Sequence, residues 1–491
     1  MHKSRYLLCC AVLVGACANP PQQTNEQETK AAFTAVPPEP ANPYPSTYHA
    51  SAASATLIRG ATVLTGKGTR LDNADVLIAN GKIEAVGPSL NAPAGARVID
   101  AGGRWVTPGL IDVHSHLGVY PSPGVNAHSD GNEATDPVTA NVWSEHGVWP
   151  QDPGFQTALE GGITSLQILP GSANLIGGRA VTLKNVPATT YQAMKFPNAP
   201  QGLKMACGEN PKRVYGGQAR APSTRMGNVA GYRQAFADAQ DYREQWRKYE
   251  RDVAEYQKKS ADKKDKKDSE ESDEPPVPPK RDLKLETLAG AMNGDIRVHI
   301  HCYRSDEMAI MLDLSHEFGF KISAFHHAIE AYKIADLLAA NGVCGAEWAD
   351  WWGSKMEMFD GIQENIALTD LPKNGCAIVH SDSDEGIQRL NQEAAKAMSR
   401  GNRIGLNIAP EHAIRWLTAN PARALGIDQF TGTLEPGKMA DVVIWNGTPF
   451  SVYALAEQVF VDGQLEFDRA NPAPQPRSDF LLGQPGAGAQ P

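Results

Sequence analysis

Two histidines separated by one residue are the first feature of the sequence that could carry chemistry. His114 and His116 end an apolar run that begins at Val106. Side chains two positions apart on a β-strand point to the same face, so both imidazoles can bind one metal ion from the end of the strand. The same spacing also occurs by chance in apolar segments. The pair therefore indicates a metal site and leaves a structural role open.

A carboxylate ends a second apolar segment. Asp382 follows the run that starts at Ala377, and an ionised carboxylate at the end of a buried strand is costly unless it is paired or bound to a metal. Asp382 is therefore predicted to be functional, with Asp384 as the alternative. His380, two residues earlier, is expected to contact the substrate or to hold the carboxylate in place.

These segments belong to a pattern of short apolar strands that alternate with helical segments over residues 109–430. Such a repeat fits an α/β barrel of parallel strands, whose catalytic groups gather at the carboxyl ends of the strands. Strand-rich pieces with Gly and Asn turns flank it at residues 55–108 and 431–470. Both ends of the chain are expected to build one β-domain.

The sequence around the histidine pair resembles the signature of the amidohydrolase superfamily. The motif PGLID precedes His114, and residues 432–443 look like the return of that family into its β-sandwich. The resemblance spans about residues 56–465 outside a charged insertion. It implies a (β/α)8 TIM-type barrel with a small β-sandwich built from both ends of the chain. Residues 203–210 are similar to the imidazolonepropionase-like and prolidase-like branch, in a bacterial lipoprotein form, and residues 208–216 with 223–227 are similar to a bacterial amidohydrolase subgroup.

The resemblance implies two metal ions held at the ends of successive barrel strands. In this branch a lysine carboxylated by CO₂ bridges the ions, and Lys204 stands at that position; its carbamate would supply the oxygen ligands that an ammonium lacks. An ordinary basic role for Lys204 and a bridge by Glu209 are the alternatives. Asp382 is the implied catalytic base. The implied metal ligands are His114, His116, Lys204, His301, His327 and Asp382.

Two further histidines compete with these ligands. His299 shares a strand face with His301 by spacing, so the choice of His301 rests on the resemblance. His326 points away from the face of His327 and is expected to be a packed, hydrogen-bonded residue.

Several basic and aromatic side chains near these segments are candidates for substrate contact, because arginine binds carboxylates bidentately. Each alone is more often a structural ion-pair partner, and we expect one of them to touch the substrate. The family often has a histidine where this chain has Tyr303. The candidates are Arg179, Arg213, Tyr215, Arg225, Tyr303, Arg304 and His380.

The implied chemistry is hydrolysis of an amide C–N bond. Two divalent ions, expected to be zinc, would activate water, while Asp382 takes its proton and returns it to the leaving nitrogen. Dipeptides or N-acyl amino acids in the cell envelope are the expected substrates. The alternatives are a cyclic-amide hydrolase or deaminase with one metal ion and, in another class, a catalytically inactive surface-tethered binding protein.

The first 16 residues have the features of an export signal. Lys3 and Arg5 precede a short apolar run, and residues 13–17 resemble a bacterial lipobox in which Cys17 carries the lipid. An ordinary cleavable signal is the alternative. Residues 17–54 are predicted to be a flexible tether. We therefore expect an exported, membrane-anchored lipoprotein that faces the periplasm or cell surface and touches the membrane only through its lipid.

Composition limits the partners. Lys and Arg total 46 against 56 Asp and Glu, a net charge of −10, so no nucleic acid partner is expected. A homo-oligomer is left open. The four cysteines that follow Cys17 lie singly in apolar runs and are predicted to be buried free thiols; they are Cys207, Cys302, Cys344 and Cys376.

Residues 228–285 form a charged insertion into the barrel pattern. Aromatic residues from Tyr232 to Tyr256 recur at steps of three and four, which predicts one long helix with an aromatic stripe. The stripe is expected to pack on the protein's own surface, with a partner or membrane surface as the alternative. Residues 261–281 are predicted to be a mobile linker, and residues 471–491 a disordered tail.

Overall fold

The computed structural model describes residues 43–122, 124–264 and 274–471. The export signal, the lipobox cysteine and nearly all of the predicted tail lie outside the described residues. These residues fall into two compact units, one within residues 246–278 and the other comprising the remainder. Among the described helices, none combines the length and apolarity needed to span a bilayer.

The described residues form sixteen strands and ten α-helices, with short 3-10 turns between them. The strands are β1 (Thr56–Leu64), β2 (Arg70–Ala79), β3 (Lys82–Gly87), β4 (Arg97–Asp100), β5 (Trp105–Pro108), β6 (Leu110–Ser115), β7 (Ile163–Ile168), β8 (Ile176–Lys184), β9 (Gly202–Ala206), β10 (Arg297–His301), β11 (Ile322–His326), β12 (Cys344–Glu347), β13 (Ala377–Val379), β14 (Val442–Trp445), β15 (Ala456–Val461) and β16 (Gln464–Asp468). The helices are α1 (Pro153–Glu160), α2 (Glu209–Gly216), α3 (Arg225–Lys264), α4 (Leu283–Asn293), α5 (Ser305–Phe318), α6 (Ala335–Asn341), α7 (Asn365–Thr369), α8 (Leu390–Arg403), α9 (Pro410–Ala413) and α10 (Ala419–Leu425).

Strands β6 to β13 form one eight-stranded sheet in chain order. Its two edges meet where the backbone N–H of Asp382, just after β13, donates to the carbonyl of His114 in β6 at 2.9 Å. The sheet is thus a nearly closed TIM-like barrel. The expectation that all its strands are parallel is wrong, because β8 is antiparallel to both β7 and β9. Only residues 169–175 join β7 to β8, and a parallel crossover needs a dozen or more residues.

The strands from both ends of the chain share the second sheet. Its order is β16-β15-β14-β5-β1-β2-β3, with β4 also paired to β1. The junction between the two ends is the antiparallel pair β5–β14, and buried residues of both, Val106 and Ile444, belong to one apolar cluster. The division of this sheet into the two layers of a sandwich stays a prediction.

The aromatic stripe lies on one long helix, as its spacing predicts. Helix α3 runs for 40 residues, and Phe236 is fully buried, with its ring stacked on Phe320 at 4.4 Å between centroids. This part of the stripe packs on the protein's own surface. Farther along, in the smaller unit, the rings of Trp246 and Tyr249 contact edge to face at 5.8 Å. Residues 261–264 of the predicted linker continue the helix, and 265–273 lie outside the described residues.

The four cysteines form two disulfides, so the prediction of free thiols is wrong. Cys207 pairs with Cys302, with a Cα–Cα distance of 5.2 Å, and Cys344 pairs with Cys376 at 4.6 Å. The reason is the strand order. Each pair joins neighbouring barrel strands, β9 to β10 and β12 to β13, which bring together cysteines that are distant in sequence.

The end of the predicted flexible tether is docked on the body. Ser46 Oγ donates to the carbonyl of Lys195 at 2.6 Å, and Lys195 Nζ donates to the carbonyl of Tyr44 at 2.9 Å. The hydroxyl of Tyr48 donates to Asp462 at 2.6 Å. Side chains and carbonyls of this segment thus have specific partners, and order begins before Ala55.

Candidate active site

The histidine pair and the aspartate meet at the carboxyl end of the barrel. His114 Nε2 and His116 Nε2 lie 3.3 Å apart, and Asp382 Oδ1 is 3.5 Å from the first and 3.1 Å from the second. Three potential ligand atoms therefore converge on one point. Asp384, the alternative to Asp382, is exposed and is not part of this cluster.

The closure of the barrel holds this cluster in place. Asp112 is fully buried beneath it and accepts hydrogen bonds from the backbone N–H groups of His114 at 3.1 Å and Ser381 at 3.2 Å. Burial raises the pKa of Asp112 to about 7. One carboxyl group thus ties together the backbones that lead into both ligand segments.

Hydrogen bonds behind the histidines orient their Nε2 atoms toward the site. His116 Nδ1 donates to the carbonyl of Leu169 at 2.9 Å, which leaves a lone pair on Nε2. His114 Nδ1 lies 2.9 Å from His326 Nδ1, whose Nε2 lies 2.9 Å from His299 Nδ1. His326 is thus the packed, hydrogen-bonded histidine that its spacing predicts, and His299 lies behind it.

His327 and His380 form a second oriented pair. His380 Nδ1 donates to the carbonyl of Glu347 at 3.0 Å, so its Nε2 accepts from His327 Nδ1 at 2.8 Å. The lone pair of His327 is then on Nε2, which lies 3.7 Å from Asp382 Oδ2. Both ring nitrogens of His380 are used, which makes it a residue that positions His327.

Lys204 and His301 complete the group. Lys204, in β9, is fully buried, with Nζ 3.5 Å from His114 Nε2 and 2.9 Å from the carbonyl of Pro170. Burial lowers the pKa of Lys204 to about 8. The rings of His301 and His327 lie 4.7 Å apart between centroids. Glu209, the alternative bridge, heads α2 and is outside the groups of potential ligand atoms.

The protonation states suit a divalent cation. Burial, reinforced by the charge of Lys204, lowers the pKa of His114 and His301 well below the usual range, so their imidazoles are neutral and keep a lone pair. Burial opposes ionisation of Asp382, but the positive charge beside it, from His116 when it is protonated and from Lys204, holds the pKa of this carboxyl below the usual range. Neutral imidazoles beside a carboxylate are the ligands that zinc takes in catalytic sites. The donor set therefore fits a metal ion.

Comparison with known proteins assigns the chain. A model described as "Amidohydrolase family" matches residues 105–469. The chain belongs to the amidohydrolase family. An amidohydrolase from Thermotoga maritima MSB8 has 34% sequence identity and a TM-score of 0.71, over 84% of this chain and 100% of that one. Family membership supports a hydrolase that acts on C–N bonds.

Two curated relatives match over part of their length. "Amidohydrolase tasK" of Hapsidospora irregularis is 34% identical over 448 residues, which are 84% of this chain and 43% of that protein. A dihydroorotase of Geobacter sulfurreducens is 36% identical over 126 residues, which are 26% of this chain and 24% of that protein. The matches thus span less than half the length of either relative.

Most of the predicted substrate contacts of this amidohydrolase have structural partners. Arg225 pairs with Glu307 and Glu357, and exposed Arg304 pairs with Asp306 at 2.9 Å. The Tyr215 hydroxyl donates to the carbonyl of Asp136, and Arg179 donates to Thr287 and Gln201. Arg213 is exposed on α2.

Besides His380, Tyr303 is a predicted contact that lies beside the candidate ligands. Its ring is 4.6 Å from that of His301 and 5.8 Å from that of His327. Two neighbours were missed. Trp348 stacks on His380 at 5.1 Å, and Lys355 Nζ donates to the Tyr303 hydroxyl at 3.1 Å. The available signal was their position after β12, at the catalytic end of the barrel.

Proposed function

We propose that this amidohydrolase cleaves the amide bond of dipeptides or N-acyl amino acids with a pair of divalent metal ions, expected to be zinc. The observation that carries the proposal is the convergence of His114, His116 and Asp382 within 3.5 Å of one another, with Lys204 at 3.5 Å from His114. Buried ligand atoms of this kind, with fixed outer hydrogen bonds, are typical of catalytic metal centres.

The proposed ligand assignment follows the hydrogen bonds. His114, His116 and Asp382 hold one ion, His301 and His327 hold the other, and carboxylated Lys204 lies between them. Ser172 Oγ lies 2.9 Å from His301 Nδ1, and the Asn210 amide, 3.4 Å from Nε2, donates to it. A metal ion bound at His301 Nε2 would displace the long contact with the Asn210 amide, whereas Nδ1 would keep its contact with Ser172.

Bound metal ions would polarise the amide carbonyl and lower the pKa of the attacking water. Asp382 stays ionised because of its neighbouring imidazole, so it can accept the proton of that water at a carboxylate oxygen and deliver it to the leaving nitrogen. Trp348, stacked on His380 and only 7% exposed, and Tyr303, 4% exposed, exclude bulk water from the same side of the site.

A one-metal enzyme is the second candidate, either a cyclic-amide hydrolase or a deaminase. Its support is that ligand atoms of His114, His327 and His380 also lie within 4.8 Å of one another. The hydrogen bonds of His380 count against it, because both ring nitrogens already have partners. Family membership counts against the inactive binding protein. The resemblance of residues 203–210 supports assignment to the imidazolonepropionase-like and prolidase-like branch.

Metal content and substrate range test the proposal together. Protein loaded with zinc and freed of excess metal is assayed for zinc per chain and for release of amine from a panel of dipeptides, N-acyl amino acids and cyclic amides. We expect about two ions per chain and cleavage of the linear amides. One ion with cleavage of cyclic amides alone would favour the second candidate, and no hydrolysis of any amide would refute both.

We also propose that the enzyme is an exported lipoprotein. The lipobox-like residues 13–17 support it, and so do the two disulfides, since such bonds persist mainly in oxidising compartments. Labelling of bacterial cells with a radioactive fatty acid should mark the wild type and not Cys17→Ala. Equal labelling of the two proteins would contradict the proposal.

A further inference from the structure

Lys355 places an ammonium group beside the ligand cluster with no acidic partner. Its Nζ donates to Asn210 Oδ1 at 3.0 Å and to the Tyr303 hydroxyl at 3.1 Å, and its side chain is half-buried. In the part of the chain that the structure describes, no carboxylate oxygen forms an ion pair with it. Both hydrogen-bond partners are neutral, so the charge is available to an incoming anion.

The ammonium lies one side chain away from a proposed metal ligand. The side-chain oxygen of Asn210 accepts a hydrogen bond from Lys355. The side-chain nitrogen of the same amide donates to His301 Nε2 at 3.4 Å. In an N-acyl amino acid the scissile carbonyl and the carboxylate are one residue apart, about 3.3–3.6 Å along the chain. A substrate whose carbonyl lies at the ligands would therefore place its carboxylate within reach of Lys355.

Nearby carboxylates partly offset the effect of burial on the pKa of Lys355. Burial lowers the pKa of Lys355, while the carboxylates of Glu209 and Glu357 oppose that effect and Arg213 adds to it. Glu357 is already paired with Arg225. Among the arginines considered for substrate binding, Arg225 and Arg304 are paired with carboxylates. Lys355, by contrast, has its Nζ on the hydroxyl of Tyr303, whose ring contacts His301.

We propose that Lys355 binds the free carboxylate of the substrate. This inference rests on the proposed function and narrows the substrate class to N-acyl amino acids and dipeptides whose carboxylate adjoins the scissile amide. An ion pair between Nζ and the carboxylate would replace the hydrogen bonds from Nζ to the neutral oxygens of Asn210 and Tyr303. The aromatic surfaces of Trp348 and Tyr303 beside His327 suit an apolar or aromatic substrate side chain.

A pair of substrates that differ only in the carboxylate tests the inference. N-acetyl-L-phenylalanine and N-acetylphenethylamine share the ring and the acetamide, and the second lacks the carboxylate. In Lys355→Met we expect kcat/KM for the acid to fall about 10- to 100-fold, with the neutral amide changed less than about threefold. Lys355→Arg should retain part of the preference. Lys333→Met is the matched control, since Lys333 is a surface cation paired with Asp360 at 2.6 Å.

Binding provides a second readout that does not depend on turnover. Calorimetry of the zinc-loaded protein with L-phenylalanine should give a dissociation constant about tenfold or more higher in Lys355→Met, while zinc content stays at the wild-type value. An equal loss for both amides, or unchanged phenylalanine binding, would overturn the inference and leave Lys355 as a structural partner of Asn210 and Tyr303. Hydrolysis of neither amide by the wild type would refute the proposed function, whatever the calorimetry shows.

Discussion

Metal loading should depend on bicarbonate through Lys204. An amine reacts with CO₂ only in its neutral form, and burial lowers the pKa of Lys204 from 10.5 to about 8. At pH 7 a pKa of about 8 leaves about one lysine in ten neutral, whereas a pKa of 10.5 leaves about one in 3,000, so burial increases the reactive fraction about 300-fold. The environment of Lys204 therefore favours the carbamate that the proposed centre requires.

The test compares Lys204→Met and Lys204→Glu with the wild type. Methionine keeps the apolar body without the nitrogen, and glutamate returns a carboxylate on a shorter chain. Apo-protein is reloaded with zinc with and without bicarbonate, and zinc is measured by mass spectrometry. The wild type should take up about two ions with bicarbonate and about one without it, and the methionine variant about one in both conditions. The glutamate variant should load independently of bicarbonate.

Carbon-13 bicarbonate gives the direct readout. A carbamate resonance should be present in the wild type and in Lys333→Met and absent from Lys204→Met. Bicarbonate-independent loading of two ions by the wild type would refute the reasoning, as would a methionine variant that keeps both ions and full activity. The bridge would then belong to another residue, or one ion would suffice.

Three further substitutions test single groups. Asp382→Asn should lower kcat/KM by at least about 10² to 10⁴ and remove the acidic limb of the pH–rate profile, measured with the same amides; activity within about tenfold of the wild type would mean that the base lies elsewhere. Lys184 Nζ lies 3.0 Å from Asp441 and 3.1 Å from Asp462, all buried, so Lys184→Met should lower the free energy of unfolding by about 3–5 kcal/mol at pH 7. The loss should be smaller at pH 5, because burial and the charge of Asp441 raise the pKa of Asp462 and favour its protonated form; an equal loss at both pH values in urea titrations would contradict this account. Burial raises the pKa of Glu466 to about 7, so the folded protein keeps a proton that the unfolded chain loses near pH 4.5, and stability falls as pH rises between these values. Glu466→Gln should therefore be more stable than the wild type at pH 8, by up to about 3 kcal/mol, and equal in stability to it at pH 4, as measured by urea titration. A variant that is less stable than the wild type at pH 8 would show that the carboxylate has a partner.

Features that depend on local spacing were predictable from the sequence. The two-residue step from His114 to His116 places both rings on one strand face whatever the rest of the fold does. The apolar run before Asp382 predicts a strand that ends at a carboxylate. The aromatic steps of three and four between Tyr232 and Tyr256 identify α3 because they match the period of a helix.

Features that depend on strand order were not predictable in the same way. Cys207 and Cys302 are 95 residues apart, and nothing in either segment shows that β9 and β10 are neighbours with those ends in register. The direction of β8 could not be predicted for the same reason. Its apolar composition suits a parallel or an antiparallel strand equally well, and only the short connection from β7 decides between them.

The substrate-binding cation shows why residue type alone does not identify a site. Arginine is the better carboxylate ligand in general, yet Arg225 is neutralised by Glu357, which lies 132 residues away in sequence. Lys355 lies two residues before that same glutamate, but its ammonium meets only neutral oxygens. A cation is therefore available to bind substrate only if the folded loops do not place a carboxylate beside it. Glu357 pairs with Arg225 and, within the described residues, forms no ion pair with Lys355, so the ammonium lies beside the ligand cluster with neutral hydrogen-bond partners.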